Sequence, residues 1–291
     1  MQGLPPLPPA QSWRRLLELA LDEDVGPGDL TTPAVAESDP QANAVIEARA
    51  PLVTCGIDVA TAVIRELDPA ARVEPQAAEG SYARPGDVLA QLSGRSHALL
   101  VAERTALNFL QRLCGVATHA RRFVDAVAGT GVHIVDTRKT LPGWRVLDKY
   151  ATAVGGAVNH RMGLFDGILV KDNHLMLAGG VTPAVKAALA AAPAGVRVQV
   201  EVESVDDAVS ACDAGADFLL LDNRTPDELR AIVAGVGSRA CLEASGGITL
   251  ENVRAVAETG VERISIGALT HSAPAADVSM ELRPHSIGAA N

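Results

Sequence analysis

The feature that most constrains this 291-residue sequence is a regular alternation of short apolar runs and helical patterns, which begins near residue 131. Alternating strands and helices are typical of right-handed βαβ units that form a parallel sheet. An open doubly wound sheet and a closed barrel both fit this alternation, but the segment is shorter than the roughly 250 residues of an eight-fold barrel. We therefore predict an α/β fold with an incomplete, six-stranded barrel. The six predicted strands are Val132–Val135, Gly167–Val170, Val196–Val202, Phe218–Leu221, Arg239–Leu242 and Arg263–Ile266.

The predicted strand ends carry the polar chemistry of the sequence. In parallel α/β folds the carboxyl ends of the strands meet at one edge of the sheet, where reactive residues lie. Each of the six ends here leads into polar or glycine-rich residues, so we expect them to converge on one mouth. The six segments are Asp136–Thr140, Lys171–His174, Glu201–Glu203, Asp222–Asn223, Ser245–Gly247 and Gly267–His271.

Cations are concentrated at the first two of these ends, although the whole chain has a net charge of −10. Arginine binds a carboxylate or phosphate in a bidentate manner and lysine supplies a point charge. The cluster therefore indicates a small substrate with several negative charges, and a solvated basic face is the alternative. Arg145 and Lys149, spaced i,i+4 on a predicted helix, fit that alternative best. The cluster comprises Arg138, Lys139, Arg145, Lys149, Arg161 and Lys171, with His160 as a further donor.

Glycine turns and two carboxylates lie at the remaining strand ends. Backbone N–H groups at turns such as Ser245–Gly247 and Gly267–Ala268 form the common phosphate site of α/β barrels, although glycines also make tight turns without a ligand. Glu201 and Asp222 end neighbouring predicted strands. A carboxylate pair in a cationic mouth can hold ribose hydroxyls, help to position Mg²⁺ or stabilise an oxocarbenium ion. A structural ion pair with a nearby cation is the alternative.

Composition argues against several other classes of protein. An acidic chain is repelled by a phosphate backbone, so we expect no nucleic-acid partner. Val181–Val202 is interrupted by charges and prolines, and the start of the chain lacks a signal-peptide pattern, so we expect no membrane association. Four cysteines without C-x-x-C spacing indicate neither zinc nor a disulfide framework, and a cytoplasmic location follows as an expectation.

Eight segments together resemble the quinolinate phosphoribosyltransferase family over nearly the whole chain after Met1–Ala10. The succession DTRKT, KY, NHR and KDNH is especially specific. Three departures from the family pattern are Trp144, Gln199 and Arg224, and none of them removes a matched site residue. The segments are LDEDVGPGDLTT (21–32), ERTALNFLQRLCGVAT (103–118), DTRKTLPGWRVLDKYA (136–151), GGAVNHRMGLFDGILVKDNH (155–174), EVES (201–204), LLLDN (219–223), ASGGI (244–248) and ISIGALTHS (264–272).

The resemblance implies a fold, an activity and an assembly. It implies an N-terminal α/β sandwich domain over residues 1–112, a barrel domain over residues 113–274, and a tail over residues 275–291 that packs with the first domain. It implies conversion of quinolinate and phosphoribosyl pyrophosphate to nicotinate mononucleotide, pyrophosphate and carbon dioxide in NAD biosynthesis, with Mg²⁺ as cofactor. It also implies a homodimer in which Arg104 reaches the neighbouring subunit's site.

The resemblance assigns roles residue by residue. Lys139, Lys171, Glu201 and Asp222 would be catalytic, and the two carboxylates would flank the ribose and the metal, through substrate or water. Arg138, His160 and Arg161 would bind the quinolinate carboxylates. The remaining predicted substrate-binding residues are Arg104, Thr137 and, around the 5′-phosphate, Ser245, Gly246, Gly247, Gly267 and His271.

Three other activities fit parts of the same pattern. A transferase of this fold could use nicotinate or another small acid, which a site with several cations should bind less well. A Schiff-base aldolase could use Lys171 as its nucleophile. A non-catalytic sensor could bind phosphoribosyl pyrophosphate without releasing pyrophosphate, although paired Glu201 and Asp222 argue against it.

Overall fold

A computed structural model of the chain describes residues 3–283, which form two compact units. The first unit comprises residues 3–121, 141–156 and 273–283, and the second comprises residues 122–140 and 157–272. The helices are α1 (Arg14–Val25), α2 (Thr31–Val35), α3 (Ile57–Leu67), α4 (Ser96–Ala126), α5 (Arg145–Val154), α6 (Asp172–Ala178), α7 (Val181–Ala191), α8 (Val205–Asp213), α9 (Pro226–Val236), α10 (Val253–Ala257) and α11 (Ala268–His271). The strands are β1 (Gln41–Ala48), β2 (Leu52–Val53), β3 (Arg72–Pro75), β4 (Tyr82–Ala83), β5 (Val88–Arg95), β6 (His133–Val135), β7 (Ile168–Val170), β8 (Val198–Val202), β9 (Phe218–Asp222), β10 (Cys241–Ser245), β11 (Arg263–Ser265) and β12 (Val278–Arg283).

The first unit is built on a four-stranded antiparallel sheet with the order β12-β1-β5-β3, and β2 and β4 form a separate pair. Its core consists of aliphatic side chains with a few aromatic ones, and it includes α3, α4 and the buried face of α5. The apolar residues of α3 recur at helical spacing, so one side of the helix is buried against the core. This unit matches the predicted mixture of helices and short antiparallel strands.

The boundaries between the units differ from the predicted ones. The predicted boundary at residues 112 and 113 lies inside α4, a continuous helix. Residues 141–156 were assigned to the barrel, but Leu147, Tyr150 and Val154 of α5 pack into the core of the first unit. The described part of the predicted tail supplies β12, which pairs with β1. Residues 284–291 of that tail lie outside the described residues, as do Met1 and Gln2.

The second unit contains a six-stranded parallel sheet with the order β6-β11-β10-β9-β8-β7. Strands β6 and β7 stand at the two ends of this order and are the edges of the sheet. The barrel is therefore open between its first and second strands. The six strands are those predicted from the sequence, with ends that differ by a few residues. The predicted α/β class with an incomplete six-stranded barrel is confirmed.

Strand β8 shows how this sheet is buried on both faces. All five of its residues are buried, and valines alternate with Gln199 and Glu201. Because successive side chains of a strand point to opposite faces, one face of β8 is aliphatic and the other is polar. The polar face carries residues of the candidate site.

Helix caps in the second unit follow directly from the sequence. Ser204 Oγ accepts a hydrogen bond from Asp207 N at the start of α8. Thr225 and Glu228 form a reciprocal capping box at the start of α9, with Pro226 as the first helical residue. These caps fix where the helices begin after β8 and β9.

Within residues 3–283 no single helix is long and apolar enough to cross a membrane. The helices α6 and α7 pass a test of length and composition only as a pair, and they are bent by 96° relative to each other.

Candidate active site

Asp136 anchors the first wall of the candidate site, directly after β6. Its side chain is completely buried. One carboxylate oxygen accepts the backbone N–H of His160 at 2.8 Å, and the other accepts Asn159 Nδ2 at 2.6 Å. Asp136 therefore ties the end of β6 to the segment that carries His160 and Arg161.

Lys139 is held against the turn that follows β11. Thr270 Oγ1 donates to the Lys139 carbonyl at 2.7 Å, and Lys139 N donates to Thr137 Oγ1 at 3.0 Å. A Cβ added at Gly267 would lie 2.8 Å from Lys139 Cδ and 3.2 Å from His271 Nε2. The structure thus brings Lys139, Gly267 and His271 together, as the sequence predicted for opposite sides of one mouth.

Arg138 and Arg161 lie close enough to repel each other. The pKa of Arg161 is lowered, first by burial and then by the charge of Arg138, while Asp166 opposes the shift. Arg161 Nη1 donates to the Gly167 carbonyl at 2.8 Å, which holds the guanidinium in place. Two neighbouring guanidinium groups, one of them partly desolvated, favour a ligand with at least two negative charges.

The His160 ring is held at both nitrogens. The backbone N–H of Arg161 donates to Nδ1 at 2.7 Å, so Nδ1 is an acceptor. Nε2 then carries the proton, and it faces Gln199 Oε1 at 2.9 Å and Glu243 Oε1 at 3.5 Å. This arrangement fixes one tautomer of a predicted site residue.

Lys171 and Glu201 form an ion pair at the ends of β7 and β8. The distance from Lys171 Nζ to Glu201 Oε2 is 3.3 Å, and the Lys171 side chain is 51% exposed whereas that of Glu201 is 11% exposed. The backbone N–H of Lys171 donates to His174 Nδ1 at 2.9 Å. The lysine is therefore tethered through its backbone while its ammonium group faces solvent and the carboxylate.

Asp222 and Ser245 are the last residues of two paired strands and lie opposite each other in the register. Asn223 N donates to the Ser245 carbonyl at 2.8 Å, and Asn223 Nδ2 donates to Asp222 at 2.8 Å. Gly246 has φ +86°, and a Cβ there would lie 2.2 Å from Asn223 Oδ1. Only glycine fits this close approach of two turns.

The two units divide the predicted residues unequally. The second unit holds all of the predicted site residues except Arg104, which is exposed on α4 of the first unit. Arg145 and Lys149, which the sequence assigned to a solvated basic face, lie on α5 of the first unit. Lys149 is completely buried, so it is no part of a solvated basic face.

Four residues that support the site had no role predicted from the sequence: Asp136 as an anchor, Gln199 as a partner of His160, and the buried pair Glu243 and Arg263. Glu243 Oε2 accepts Arg263 Nε at 2.8 Å. For Glu243 and Arg263, the signal available in the sequence was a charged residue within an apolar run. The predicted fifth strand ended at Leu242, one residue before the carboxylate.

The described residues contain no group of three or more His, Cys, Asp or Glu side chains that could hold a metal ion. Mg²⁺ is commonly bound by one or two carboxylates together with substrate phosphates. Glu201 and Asp222, at the ends of adjacent strands, supply such oxygen donors, and Glu201 Oε2 accepts no hydrogen bond from the described residues. The residues present therefore fit an ion that is held largely by substrate and water.

This fold and this arrangement define a class of proteins, the α/β barrels that bind an anionic small molecule at the strand ends. Two family descriptions cover most of the chain: "Quinolinate phosphoribosyl transferase, N-terminal domain" matches residues 29–114, and "Quinolinate phosphoribosyl transferase, C-terminal domain" matches residues 116–281. The chain belongs to the quinolinate phosphoribosyltransferase family.

Relatives and solved structures agree with this family. The chain is 40% identical over 274 residues to the probable nicotinate-nucleotide pyrophosphorylase [carboxylating] of Bacillus subtilis, a match that covers 92% of this chain and 93% of the relative. It is 40% identical over 286 residues to the human nicotinate-nucleotide pyrophosphorylase [carboxylating], covering 97% and 95%. The solved nicotinate-nucleotide pyrophosphorylase of Francisella tularensis has a TM-score of 0.90 at 36% identity, covering 94% of this chain and 97% of that one.

Proposed function

We propose that this chain transfers the ribose 5-phosphate group of phosphoribosyl pyrophosphate to the ring nitrogen of quinolinate in NAD biosynthesis. The products are nicotinate mononucleotide, pyrophosphate and carbon dioxide. The observation that carries the proposal is the close pair of Arg138 and Arg161 beside His160, in a chain of this family. Quinolinate has two adjacent carboxylates, which match the two positive charges of this pair.

The opposite side of the site fits the phosphorylated substrate. Lys139 is packed against Gly267 and His271, and the turn at Gly246 brings backbone groups close to Asn223. Glycine turns after the last strands of an α/β barrel commonly bind a phosphate through backbone N–H groups. We assign the 5′-phosphate to Ser245, Gly246, Gly247, Gly267 and His271.

The chemistry divides into two steps. In the first, the ring nitrogen bonds to the anomeric carbon of the ribose while the bond from that carbon to pyrophosphate breaks. Positive charge develops on the ribose, and Glu201 and Asp222 stabilise it electrostatically. Arg138 and Arg161 orient the dianion, and Lys139 and Lys171 balance the phosphate charges.

In the second step, the bond between ring carbon 2 and its carboxylate breaks and carbon dioxide leaves. The electron pair of that bond stays on the ring carbon, next to the newly positive nitrogen, and a proton then replaces the carboxylate. The pyridinium charge therefore drives the loss of carbon dioxide. The residues of the chain need only hold the ring and exclude competing reactions.

Mg²⁺ is part of the proposal as the cofactor. Glu201 and Asp222 would hold it through substrate or water, and when bound it neutralises charge that develops on the leaving pyrophosphate. The cytoplasmic location also stays a prediction, which the free state of all four cysteines supports.

We further propose a homodimer in which Arg104 completes the neighbouring subunit's site. The support is that Arg104 is exposed on α4, where its charge is open to a second chain. A cation supplied from outside the barrel would add to the charges that bind the quinolinate carboxylates.

An assay for pyrophosphate release, run with and without quinolinate, tests the activity. We expect release from phosphoribosyl pyrophosphate only when quinolinate is present, together with one carbon dioxide per pyrophosphate. Nicotinate should give much less product because it carries only one of the two carboxylates that the pair of guanidinium groups would bind. Equal rates with nicotinate and quinolinate would contradict the dianion site, and release of no pyrophosphate with either acid would contradict the transferase. Borohydride trapping with a carbonyl substrate would reveal an aldolase through Lys171 instead.

Arg161→Leu tests the dianion site within the second unit. Removing a charged partner from a buried charge pair costs about 2–5 kcal/mol of binding, which corresponds to roughly 30- to 4,000-fold in kcat/KM for quinolinate. Arg230→Leu is the matched control, because Arg230 is an exposed surface residue of α9 paired with Asp227. Steady-state kinetics of both variants measure the effect, and equal values would contradict the assignment.

Mixing two inactive variants tests the shared site. In a heterodimer of Arg104→Leu and Lys139→Ala chains, one site contains both substitutions and the other contains neither, provided that Arg104 acts on its neighbour. We therefore expect the mixture to regain activity that neither variant has alone. No recovery in a mixture with demonstrated subunit exchange would show that Arg104 does not act across subunits.

A further inference from the structure

Glu243 is a buried carboxylate in the interior of the barrel, below the residues assigned to substrate. Its side chain is 0% exposed. One oxygen, Oε2, accepts Arg263 Nε at 2.8 Å. The other oxygen, Oε1, accepts no hydrogen bond from the described residues and faces His160 Nε2 at 3.5 Å. The mechanism proposed above leaves this carboxylate without a role.

His160 links this carboxylate to the wall of the site. Its Nδ1 accepts the backbone N–H of Arg161 at 2.7 Å, which is possible only when Nδ1 carries no proton. Its Nε2–H points towards Gln199 Oε1 at 2.9 Å and towards Glu243 Oε1. Two acceptors on the interior side therefore favour the one tautomer that leaves Nδ1 free to accept from Arg161.

We propose that Glu243 is a positioning residue for the quinolinate site, which holds His160 as the Nε2–H tautomer and, through His160 Nδ1, orients Arg161. The expected change in quinolinate KM rests on the proposed function, whereas the expected tautomer of His160 does not. If the ring changed tautomer, a proton on Nδ1 would face the Arg161 N–H, and that hydrogen bond would be lost. Arg161 would then lose the hydrogen bond that fixes its backbone, and its guanidinium would be held only through the contact with the Gly167 carbonyl.

Burial explains why a carboxylate is effective in this position. A charge in a water-excluded interior acts on its neighbours more strongly than one in solvent. Arg263 supplies the countercharge, and its guanidinium lies over the Phe218 ring at 5.4 Å from the centroid. The carboxylate is therefore held in one orientation, with one oxygen facing the arginine and the other facing the histidine.

Glu243→Gln tests the proposal because the change is isosteric. The substituted amide can give only its oxygen to Arg263, so it turns its NH₂ group towards His160 Nε2. A donor at that place favours the opposite tautomer. We expect a rise of up to about tenfold in KM for quinolinate, the upper size expected for loss of a hydrogen bond between uncharged groups, with KM for phosphoribosyl pyrophosphate changed less than about twofold.

Nitrogen-15 spectra of the histidine ring give a readout that does not depend on activity. The His160 signals are identified by their absence in His160→Gln. We expect a pyrrole-like Nε2 and a pyridine-like Nδ1 in the unaltered chain, and a shift towards the other tautomer in Glu243→Gln. If the unaltered chain releases no pyrophosphate with quinolinate, the proposed function fails, while these spectra still decide the positioning role.

Two further variants separate positioning from stability. Arg254→Gln removes an exposed ion pair with Glu258 in the same unit, so quinolinate KM and the ring spectra should stay unchanged. Gln199→Glu in the Glu243→Gln background returns a carboxylate beside His160 Nε2, and it should restore both readouts.

The contrary outcomes are equally specific. Glu243→Gln with a lowered Tm but with unchanged ring spectra and quinolinate KM would make the carboxylate merely structural. Equal rises in KM for both substrates would also overturn the proposal. If Glu243→Gln does not fold, Glu243→Asp shortens the side chain and withdraws the oxygen that faces His160 Nε2, and unchanged ring spectra with an unchanged quinolinate KM in that variant would be decisive against it.

Discussion

Both units of this chain bury charged side chains, but those of the first unit (Asp68, Asp148 and Lys149) lie on α5 and at the end of α3, whereas those of the second lie on or directly after barrel strands. The core of the first unit is formed by aliphatic residues of β1, β5, α3, α4 and α5. The polar face of β8 and the interior of the barrel in the second unit instead hold Gln199, Glu201 and Glu243, with Arg263 paired to the last of these. Barrels of this kind usually fill their interior with branched apolar residues.

This difference separates stability from chemistry. Removing charges from water costs several kcal/mol per ion, and a buried ion pair often stabilises a fold no more than apolar residues of the same volume would. The polar barrel interior is therefore poorly explained as a means of stabilising the second unit. It is well explained if the buried groups position cations at the strand ends, as proposed for Glu243.

A buried ion pair of Arg112 and Asp148 in the first unit limits this comparison. Arg112 Nε and Nη2 donate to the two carboxylate oxygens, both at 3.0 Å, and the Asp148 side chain is 0% exposed. Asp148 also accepts the backbone N–H of Leu141 at 3.3 Å. This pair joins α4 to α5 within the first unit, so we interpret it as structural.

Asp148→Asn is the strongest test of that interpretation. Breaking a buried pair by removing one charge costs about 3–5 kcal/mol, because the remaining charge stays buried without its partner. We expect urea denaturation to show a loss of this size in the free energy of unfolding, with KM for quinolinate unchanged. Glu18→Gln removes an exposed pair with Arg14 in the same unit and should cost less than about 1 kcal/mol. A selective change in quinolinate KM in Asp148→Asn would show that buried charges serve the site in both units.

Two adjacent glycines of the second unit allow a finer test. A Cβ at Gly246 would meet Asn223 Oδ1 at 2.2 Å and Asn223 N at 2.9 Å, whereas a Cβ at Gly247 meets nothing within 4 Å. Both have positive φ, +86° and +62°, so alanine strains the backbone at either position by about 1–3 kcal/mol. The clash is added only in Gly246→Ala.

We therefore expect Gly246→Ala to raise KM for phosphoribosyl pyrophosphate well above that of Gly247→Ala, while thermal unfolding shows a loss of stability in both variants. Steady-state kinetics with saturating quinolinate measure the difference. Similar KM values in the two variants would mean that the close approach of Gly246 to Asn223 does not shape the phosphate site. The polar second unit would then be less dependent on exact turn geometry than we propose.

The sequence predicted the architecture of the second unit well, because the pattern that specifies it is local. Short apolar runs alternate with helical spacing, and parallel strands bring their carboxyl ends to one edge whatever the details of packing. For that reason Lys139, Gly267 and His271 could be placed on one mouth before their contacts were known. The ends of the strands were less predictable, and Asp222 and Ser245 are strand residues rather than loop residues.

Long-range packing accounts for what the sequence did not reveal. Residues 141–156 follow the first barrel strand, yet α5 joins the first unit because Leu147, Tyr150 and Val154 pack into that core. The role of Asp136 depends on hydrogen bonds to residues more than twenty positions away. No local pattern distinguishes such an anchor from an acid in a loop.

The first unit also contains a partly buried carboxyl, Glu79, that offers the smallest and most specific test of the comparison. Glu79 Oε1 accepts Tyr150 OH at 2.7 Å and Gly56 N at 2.8 Å. Burial raises the pKa of Glu79 above its usual value, and these hydrogen bonds only partly offset the shift. If the interior of the first unit serves stability, the raised pKa of Glu79 should make the free energy of unfolding depend on pH. It should leave the kinetic constants for the substrates unchanged.

A raised pKa in the folded state means that the folded chain favours the protonated carboxyl more than the unfolded chain does. This contribution to stability is complete below the unfolded pKa, near 4.3, and is lost as the pH rises through the folded pKa. Glu79→Gln should therefore flatten the decline of stability over that pH window, and Tyr150→Phe should steepen it, because it removes a hydrogen bond that lowers the Glu79 pKa. Urea midpoints measured across the window in the three chains give the slopes. Identical slopes would mean that the carboxyl is already solvated in the folded state, and the first unit would then contain less buried polarity than its contacts indicate.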